Sequence, residues 1–424
     1  VTTAGIVLIL SAIIFMALGL PIAFSLGMAG VMSLIVQGNV PLMVFPQRLF
    51  TAIDSFPMMA VIFFVMAGEF MLQGGISRRL VNVATCLFWW MRGSLAIISI
   101  ATCTFFGAIS GSGMATTAAV GSLMYPEMTK DGEYDDSFAA AVQAVGGTIG
   151  ILIPPSVPLI IYGILSNTSI GDLFLAIVVP GIIMSIIYMV TAYIIIRKEG
   201  MAKSRTKIDL SIGHALLEGF WALLTPVIIL GGIYGGIFTP TEAAAVASVY
   251  ALIVGIFVYK ELDMKRLYKA LVSSAIVSAS IMLLIAAATF FGWVMTTQGI
   301  PQLVSKFIVS IVHTKVAFLI MINILFLIAG MFMETSTSLL LVIPLVFPVA
   351  KAFGIDAVHF GVISIVNLSI GLVTPPFGAC MFVASGITNV KLDRIIKYVI
   401  PFVLTGIIGL LIITFVPVLS AILL

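Results

Sequence analysis

Apolar runs long enough to cross a bilayer recur from one end of this sequence to the other. Such a run needs roughly 17–25 residues. At membrane depth no water can satisfy a backbone N–H or C=O, so only helices and closed barrels are admissible. A barrel would alternate apolar and polar residues in segments of about ten, and no such alternation is visible. The chain therefore reads as an all-α polytopic membrane protein. It is 61% hydrophobic and only 9% charged, against about 25% charge in an ordinary soluble domain, and no soluble domain is expected. The first apolar run lacks a basic n-region and an A-x-A-like cleavage site, so it is expected to span rather than to be a signal peptide. Cys86, Cys103 and Cys380 are isolated, which speaks against a CxxC site or a disulfide framework.

Two segments do not fit a continuous helix. "GTIGILIPPS" (147–156) and "LSIGLVTPPFG" (368–378) each place glycines and a double proline inside an apolar stretch. Aligning Pro154 and Pro155 with Pro375 and Pro376 also aligns Gly150 with Gly371, Asp172 with Asp393 and Pro180 with Pro401. Upstream, "SGSGMATTAAVGSLMYP" faces "METSTSLLLVIPLVFP", with Thr116 opposite Glu334 and Pro126 opposite Pro344, and "QGGI" (73–76) faces "TQGI" (297–300). Ordered agreement of Gly, Pro and Asp over both halves indicates an internal duplication. The expected units are 1–196, a linker at 197–212, and 213–424.

In the first half, spans are expected near 3–20, 21–37 and 56–74, followed by an amphipathic stretch at 76–91. Two arms of about 15 residues surround the tip "SGSG", making a hairpin at about 94–128. Each arm would be roughly 22 Å long, short of a bilayer core of about 30 Å, so the hairpin is expected to be re-entrant. A broken helix at about 138–165 and a span at 172–196 complete the half. The second half repeats this with a hairpin at about 317–350 and a broken helix at about 358–386. Five crossings per half require the tandem copies to be inverted. With the linker in the cytoplasm, all 20 Lys and Arg except Arg48, Lys306, Lys315 and Lys351 fall on cytoplasmic segments, as the positive-inside rule demands. Both chain ends are then expected outside.

Inverted repeats with discontinuous helices are a mark of secondary transporters. A break frees backbone groups at a cost of several kcal/mol each, unless something polar uses them. Freed carbonyls suit Na⁺, and helix N-termini suit an anion. Two Na⁺ sites are expected, each pairing a hairpin tip with a break. The first would use Ser110, Ser112, Gly147, Thr148 and Gly150; the second, Glu334, Ser336, Ser369, Gly371 and Thr374. The substrate would lie between the tips, near Gly113, Thr116, Pro154, Pro155, Thr335, Thr337, Asn367, Pro375 and Pro376. Glu334 is the prominent charge, because an acid at mid-membrane costs about 3 kcal/mol and is functional by default. Glu69 and Glu242 also lie in or at the ends of apolar spans; Thr241 and Glu242 read as a helix start. Neither the hairpins nor the broken spans contain Lys or Arg, so an anionic substrate would depend on bound Na⁺ for its positive complement. No His/Cys cluster favours a transition metal, and no organic cofactor or nucleic-acid partner is indicated. His214, His313 and His359 are scattered, with no Ser/His/Asp set or HExxH, so no enzyme is expected. Duplicated closed hairpins argue against a channel.

Five segments together resemble the large membrane subunit of tripartite ATP-independent periplasmic (TRAP) transporters: "GGIYGGIFTPTEAAAVA" (231–247), "FGAISGSGMATTAAVGS" (106–122), "GTIGILIPPSVP" (147–158), "GMFMETSTSLLLVIPLVFP" (330–348) and "NLSIGLVTPPFG" (367–378). The resemblance covers nearly the whole chain. It implies a bacterial inner-membrane importer with a small four-helix membrane partner and a periplasmic substrate-binding protein. It also implies carboxylate substrates such as C4-dicarboxylates, sialic acid, other sugar acids and keto acids. The mechanism it implies is an elevator, with hairpins and broken helices moving as one block against a scaffold. Many members carry Asp where this chain has Thr116. A stand-alone Na⁺/carboxylate symporter of related fold is the alternative.

Overall fold

The computed structural model describes residues 3–91, 93–201 and 212–424. Among them the chain is helical from end to end, with no strand. Eight helices are at least 18 residues long and apolar enough to cross a membrane. Arg92 and residues 202–211, the centre of the expected linker with Lys203, Arg205 and Lys207, lie outside the described residues.

The order of elements recurs. The first half runs Thr3–Ala17, Ile22–Gln37, Val44–Ile53, Phe56–Gln73, Ile76–Phe88, a hairpin of Ser94–Ser110 and Gly113–Thr129, a helix interrupted between Asp136–Thr148 and Val157–Ser166, and Ile170–Glu199. The second runs Ile212–Tyr234, Pro240–Ile253 with a π-turn at Val254–Val258, Met264–Thr297, Ile300–Ile311, a hairpin of Lys315–Phe332 and Thr335–Ala352, a helix interrupted between Ala357–Gly371 and Ala379–Thr388, and Leu392–Phe415. Local chemistry recurs with it. Both short amphipathic helices start after a left-handed glycine, Gly75 and Gly299, and both interrupted helices end on a left-handed asparagine, Asn167 and Asn389. Both double prolines are joined by cis bonds.

Three details differ from the sequence expectation. The first two helices are shorter than expected, because Gly19 turns left-handed and Pro21 caps the next helix. Val44–Ile53 was not expected; it lies on Met264–Thr297 with Phe45 edge-on to Phe290 at 5.0 Å and Arg48 over Trp293 at 4.7 Å. The start of Pro240–Ile253 is capped by Thr239, not Thr241. Thr239 Oγ1 accepts from Glu242 N at 3.3 Å, and the Glu242 carboxylate accepts from Thr239 N at 2.8 Å, a capping box.

The halves interlock twice. Phe56–Gln73 packs on Pro240–Ile253, and Met264–Thr297 packs on Ile22–Gln37 and Phe56–Gln73. Separately, the second arm of each hairpin packs on the far half of the other interrupted helix: Gly113–Thr129 on Ala379–Thr388, and Thr335–Ala352 on Val157–Ser166. Each hairpin also meets the break of its own half, glycine against glycine. A Cβ on Gly107 would come within 2.9 Å of Gly150 Cα, and one on Gly371 within 2.6 Å of Gly330 Cα. Close approach of backbones is what small residues permit where the hydrophobic effect gives no drive between helices.

Candidate functional site

The two hairpin tips are built differently. At the first, Gly111 turns left-handed and Ser112 becomes the N-cap of Gly113–Thr129, its Oγ accepting from Ala115 N at a long 3.4 Å. Ser110 Oγ and Thr116 Oγ1 lie 2.8 Å apart, and Thr116 Oγ1 donates to Ser112 O at 2.7 Å. At the second, Met333 is extended and Glu334 is the N-cap of Thr335–Ala352. Its carboxylate accepts from Ser336 N at 2.7 Å, Ser336 Oγ at 3.2 Å and Thr337 N at 3.4 Å. The caps thus set Glu334 opposite Ser112, four residues away from the Thr116 register read from the sequence. The apolar context around the tips carried too few landmarks to fix that register.

Both tips border one cavity of about 410 Å³. Ser110, Ser112, Gly113, Glu334 and Ser336 line it; so do Met114 and Ala115 from the first tip and Glu69 and Ser280 from the helices opposite. Among the described residues lining it there is no Lys, Arg or His. Its acids are Glu69 and Glu334. Sequence reasoning noted Glu69 and gave it no role, although an acid inside an apolar span was the available signal. Ser280 carried no such signal in its apolar, serine-bearing helix.

Other candidates stand one layer behind. Gly147 and Gly150 face the first tip: Thr117 Oγ1 presses on Gly147, and Thr116 Oγ1 and Ser112 O on Gly150. Gly111 lies against Pro155 O, so Pro155 touches the tip through its carbonyl. Thr148, Ser369 and Thr374 each donate to a carbonyl three or four residues back, Val145 O, Val366 O and Ile370 O, at 2.7–2.8 Å. They do not reach the cavity wall. Thr335 Oγ1 is buried without a partner among the described residues, as are Ser338 Oγ and Ser156 Oγ, and Thr337 is buried beside them. Pro154 is buried, whereas Pro376 is exposed and Pro375 partly so. Asn367 is not brought to the tips. Its Nδ2 donates to Asn323 O and Oδ1 at 2.8 and 2.9 Å, and Asn323 Nδ2 donates to Thr414 Oγ1 at 3.2 Å. The ladder ends at His359, held by Ser420 Oγ and Thr414 O. No cluster of His, Cys, Asp and Glu able to hold a transition metal occurs among the described residues.

Residues 9–419 match the family described as "Tripartite ATP-independent periplasmic transporter, DctM component". The chain belongs to the TRAP transporter DctM family. It is 44% identical to the isethionate TRAP transporter permease protein DctMQ of Oleidesulfovibrio alaskensis, over 95% of this chain and 64% of that protein. It is 40% identical to the C4-dicarboxylate TRAP transporter large permease protein DctM of Pseudomonas aeruginosa, over 93% and 92%. It is 39% identical to the sialic acid TRAP transporter large permease protein SiaM of Vibrio cholerae, over 90% of each. The fold is that of the Alcanivorax borkumensis YdaH transporter, with a TM-score of 0.66 at 13% identity and 88% of each chain covered. The protein is a multi-pass membrane permease subunit of the TRAP type, and its relatives are transporters rather than enzymes.

Proposed function

We infer that this TRAP subunit is a Na⁺-coupled importer of a small organic acid anion, a carboxylate or a sulfonate. The anion is delivered by a periplasmic binding protein, and the chain works with a small four-helix membrane subunit in a bacterial inner membrane. The observation that carries the inference is the single cavity bordered by two oxygen-rich tips and by no cationic side chain among the described residues. An anion there needs positive charge from elsewhere. Na⁺ on the tip and break carbonyls supplies it, joined by the N–H groups of Gly113 and Met114 at a helix N-terminus whose Ala115 N–H is taken by the Ser112 cap. The second helix N-terminus already holds its own carboxylate, Glu334, which suits a cation rather than an anion. The substrates named for the relatives, isethionate, C4-dicarboxylates and sialic acid, are all anions of this class.

In this proposal 1–196 and 213–424 are inverted repeats joined by a cytoplasmic linker, with both chain ends periplasmic. The hairpins, interrupted helices and their flanking spans form the moving block of an elevator. Its first Na⁺ site centres on Ser110, Ser112 and the Gly147–Gly150 carbonyls, and its second on Glu334, Ser336 and the Ser369–Gly371 carbonyls. The test is uptake by proteoliposomes holding this chain and its small partner, with labelled isethionate, a C4-dicarboxylate and sialic acid supplied in turn. Uptake of one of them only with Na⁺ and its purified binding protein is the expected result. Na⁺-driven uptake without any binding protein would instead identify a stand-alone symporter.

A further inference from the structure

One wall of the cavity belongs to a helix that runs on well past it. Met264–Thr297 has 34 residues, about 51 Å at 1.5 Å each against a bilayer core of about 30 Å. In the orientation proposed above, its Met264 end lies in the cytoplasm. Ile276, Val277, Ser280 and Leu284 line the cavity from this helix. Steps of three and four residues back from Ile276 along the same face reach Ser273, Lys269 and Arg266. At about 100° per residue, Lys269 and Arg266 stand within about 40° of Ser280 around the axis, and Lys269 is about 10 Å beyond Ile276 along it. No Lys or Arg intervenes between Ile276 and Lys269. The cavity itself has two acids, Glu69 and Glu334, and no cationic side chain among its described lining residues. Lys269 and Arg266 are therefore the first cations on this wall outside it.

Local contacts do not neutralise this pair. Lys269 is exposed and has no hydrogen-bond or ion-pair partner among the described residues. The Arg266 side chain is 48% exposed; its Nη1 donates to Glu261 O at 2.9 Å and lies 3.7 Å from Glu261 Oε2. Glu261 is bonded more closely by Arg79, at 2.7 Å, and Asp263 accepts from Arg266 N at 2.7 Å as the helix cap. Both acids of this turn are thus engaged, and Lys260, Lys265 and Lys269 leave it net positive. Lys265 and Arg266 also sit in the first helical turn, where the dipole disfavours cations, so helix formation does not account for them. The positive-inside rule asks only for cations at this end. It does not put two of them in line with the cavity.

We propose that Lys269 and Arg266 form a second anion site, at the cytoplasmic mouth of the cavity, which takes the carboxylate or sulfonate group of the organic anion as it leaves the tips. Three residues apart, the two side chains are neighbours on the helix, and a planar guanidinium fork stands beside the compact charge of an ammonium. An anion that has parted from Na⁺ is left among side chains whose only formal charges are negative. A cation pair two turns further along the wall draws it outward. Water and salt screen exposed charges over roughly 8–10 Å, so the hold is weak and the anion is given up to the cytoplasm. The proposal rests on the transporter reading and its orientation above, and adds a site that Na⁺ coupling does not itself require.

Lysine reactivity tests it without transport. The chain, assembled with its small membrane partner in detergent, is acylated with acetic anhydride and read by mass spectrometry. Isethionate, succinate and sialic acid are supplied in turn as sodium salts, with chloride as the control anion at equal Na⁺ and ionic strength. At least one organic anion is expected to slow acylation of Lys269 threefold or more. Lys198, exposed at the cytoplasmic end of Ile170–Glu199, should be unaffected. No slowing at Lys269 with any of the three, or equal slowing at Lys198, overturns the proposal while the transport reading survives. Uptake is the second measurement, in proteoliposomes with Na⁺ and binding protein outside. Lys269→Gln changes an exposed residue, so normal assembly is expected, with at least a threefold lower kcat and an unchanged half-saturation for loaded binding protein. Lys269→Arg should restore kcat, which a purely structural role for the lysine would not require. Wild-type kcat in Lys269→Gln would also overturn the proposal. If the wild-type complex takes up none of these anions, the transport reading fails, and the acylation pattern still decides whether the mouth binds anions.

Discussion

Glu334 has two separable tasks in this account, and substitutions can divide them. Its carboxylate caps Thr335–Ala352 through three hydrogen bonds, from Ser336 N, Ser336 Oγ and Thr337 N. Losing an N-cap costs about 1 kcal/mol, and up to about 2 where the acceptor is charged. In the proposed second Na⁺ site it also supplies the only formal negative charge. A carboxylate oxygen about 2.5 Å from Na⁺ is worth several kcal/mol at an effective dielectric constant near 20. If about 3 kcal/mol survives desolvation, its loss raises the Na⁺ half-saturation more than a hundredfold. Glu334→Ala removes both cap and charge. Glu334→Ser keeps a good cap and removes the charge. The alanine variant is expected to be about 1–2 kcal/mol less stable, with the serine variant within about 0.5 kcal/mol of wild type. Both should lose Na⁺-dependent uptake and the second site's share of the Na⁺-induced rise in melting temperature. The assay is thermal unfolding of the purified complex across a Na⁺ series, alongside uptake. A serine variant with wild-type Na⁺ half-saturation would refute the reasoning, because the capping role alone would then explain the acid.

Three further outcomes follow from packing. Gly371→Ala places a methyl 2.6 Å from Gly330 Cα, a backbone that cannot move cheaply; a loss of about 2–3 kcal/mol, read from denaturation in detergent, is expected. Asn367→Ala breaks the buried ladder to Asn323 and should cost about 1–3 kcal/mol. Because Asn367 stands off the cavity, its Na⁺ half-saturation should stay within twofold of wild type, and a tenfold change would return it to the binding site. Arg79 bonds Glu261 at 2.7 Å and covers the Tyr259 ring at 3.7 Å, tying the first amphipathic helix to the far half. A double-mutant cycle with Arg79→Ala and Glu261→Ala should give a coupling of about 1 kcal/mol, and zero coupling would show that the pair does not anchor that helix.

Much of this architecture was legible because breaks in apolar helices are conspicuous. Pro154–Pro155 lies between Asp136–Thr148 and Val157–Ser166, Pro375–Pro376 lies between Ala357–Gly371 and Ala379–Thr388, and the Ser/Thr-rich strings lie at the turns Ser110–Gly113 and Phe332–Thr335. What the sequence hid was direction. Nothing distinguishes a hydroxyl aimed at a cavity from one bonded back to its own helix, so Thr148, Ser369 and Thr374 were indistinguishable from Ser110 and Ser112. Asn367 lies in the same motif and turns to Asn323 rather than to the cavity. Register across the tips failed for a related reason: Thr116 and Ser112 are both short hydroxyl residues, and only cap geometry shows that Ser112 is the counterpart of Glu334. Val44–Ile53 was missed because its apolar stripe is too short to announce itself beside longer spans.

The central claim is that organic anion and Na⁺ share this cavity and move together. The most direct measurement is the steady accumulation ratio of the transported anion in proteoliposomes. These would contain this chain, its small partner and an excess of binding protein, with the Na⁺ gradient varied at a clamped membrane potential. The account predicts that the ratio rises with at least the square of the Na⁺ ratio, as two or more coupled ions require. Accumulation indifferent to the Na⁺ gradient would contradict it.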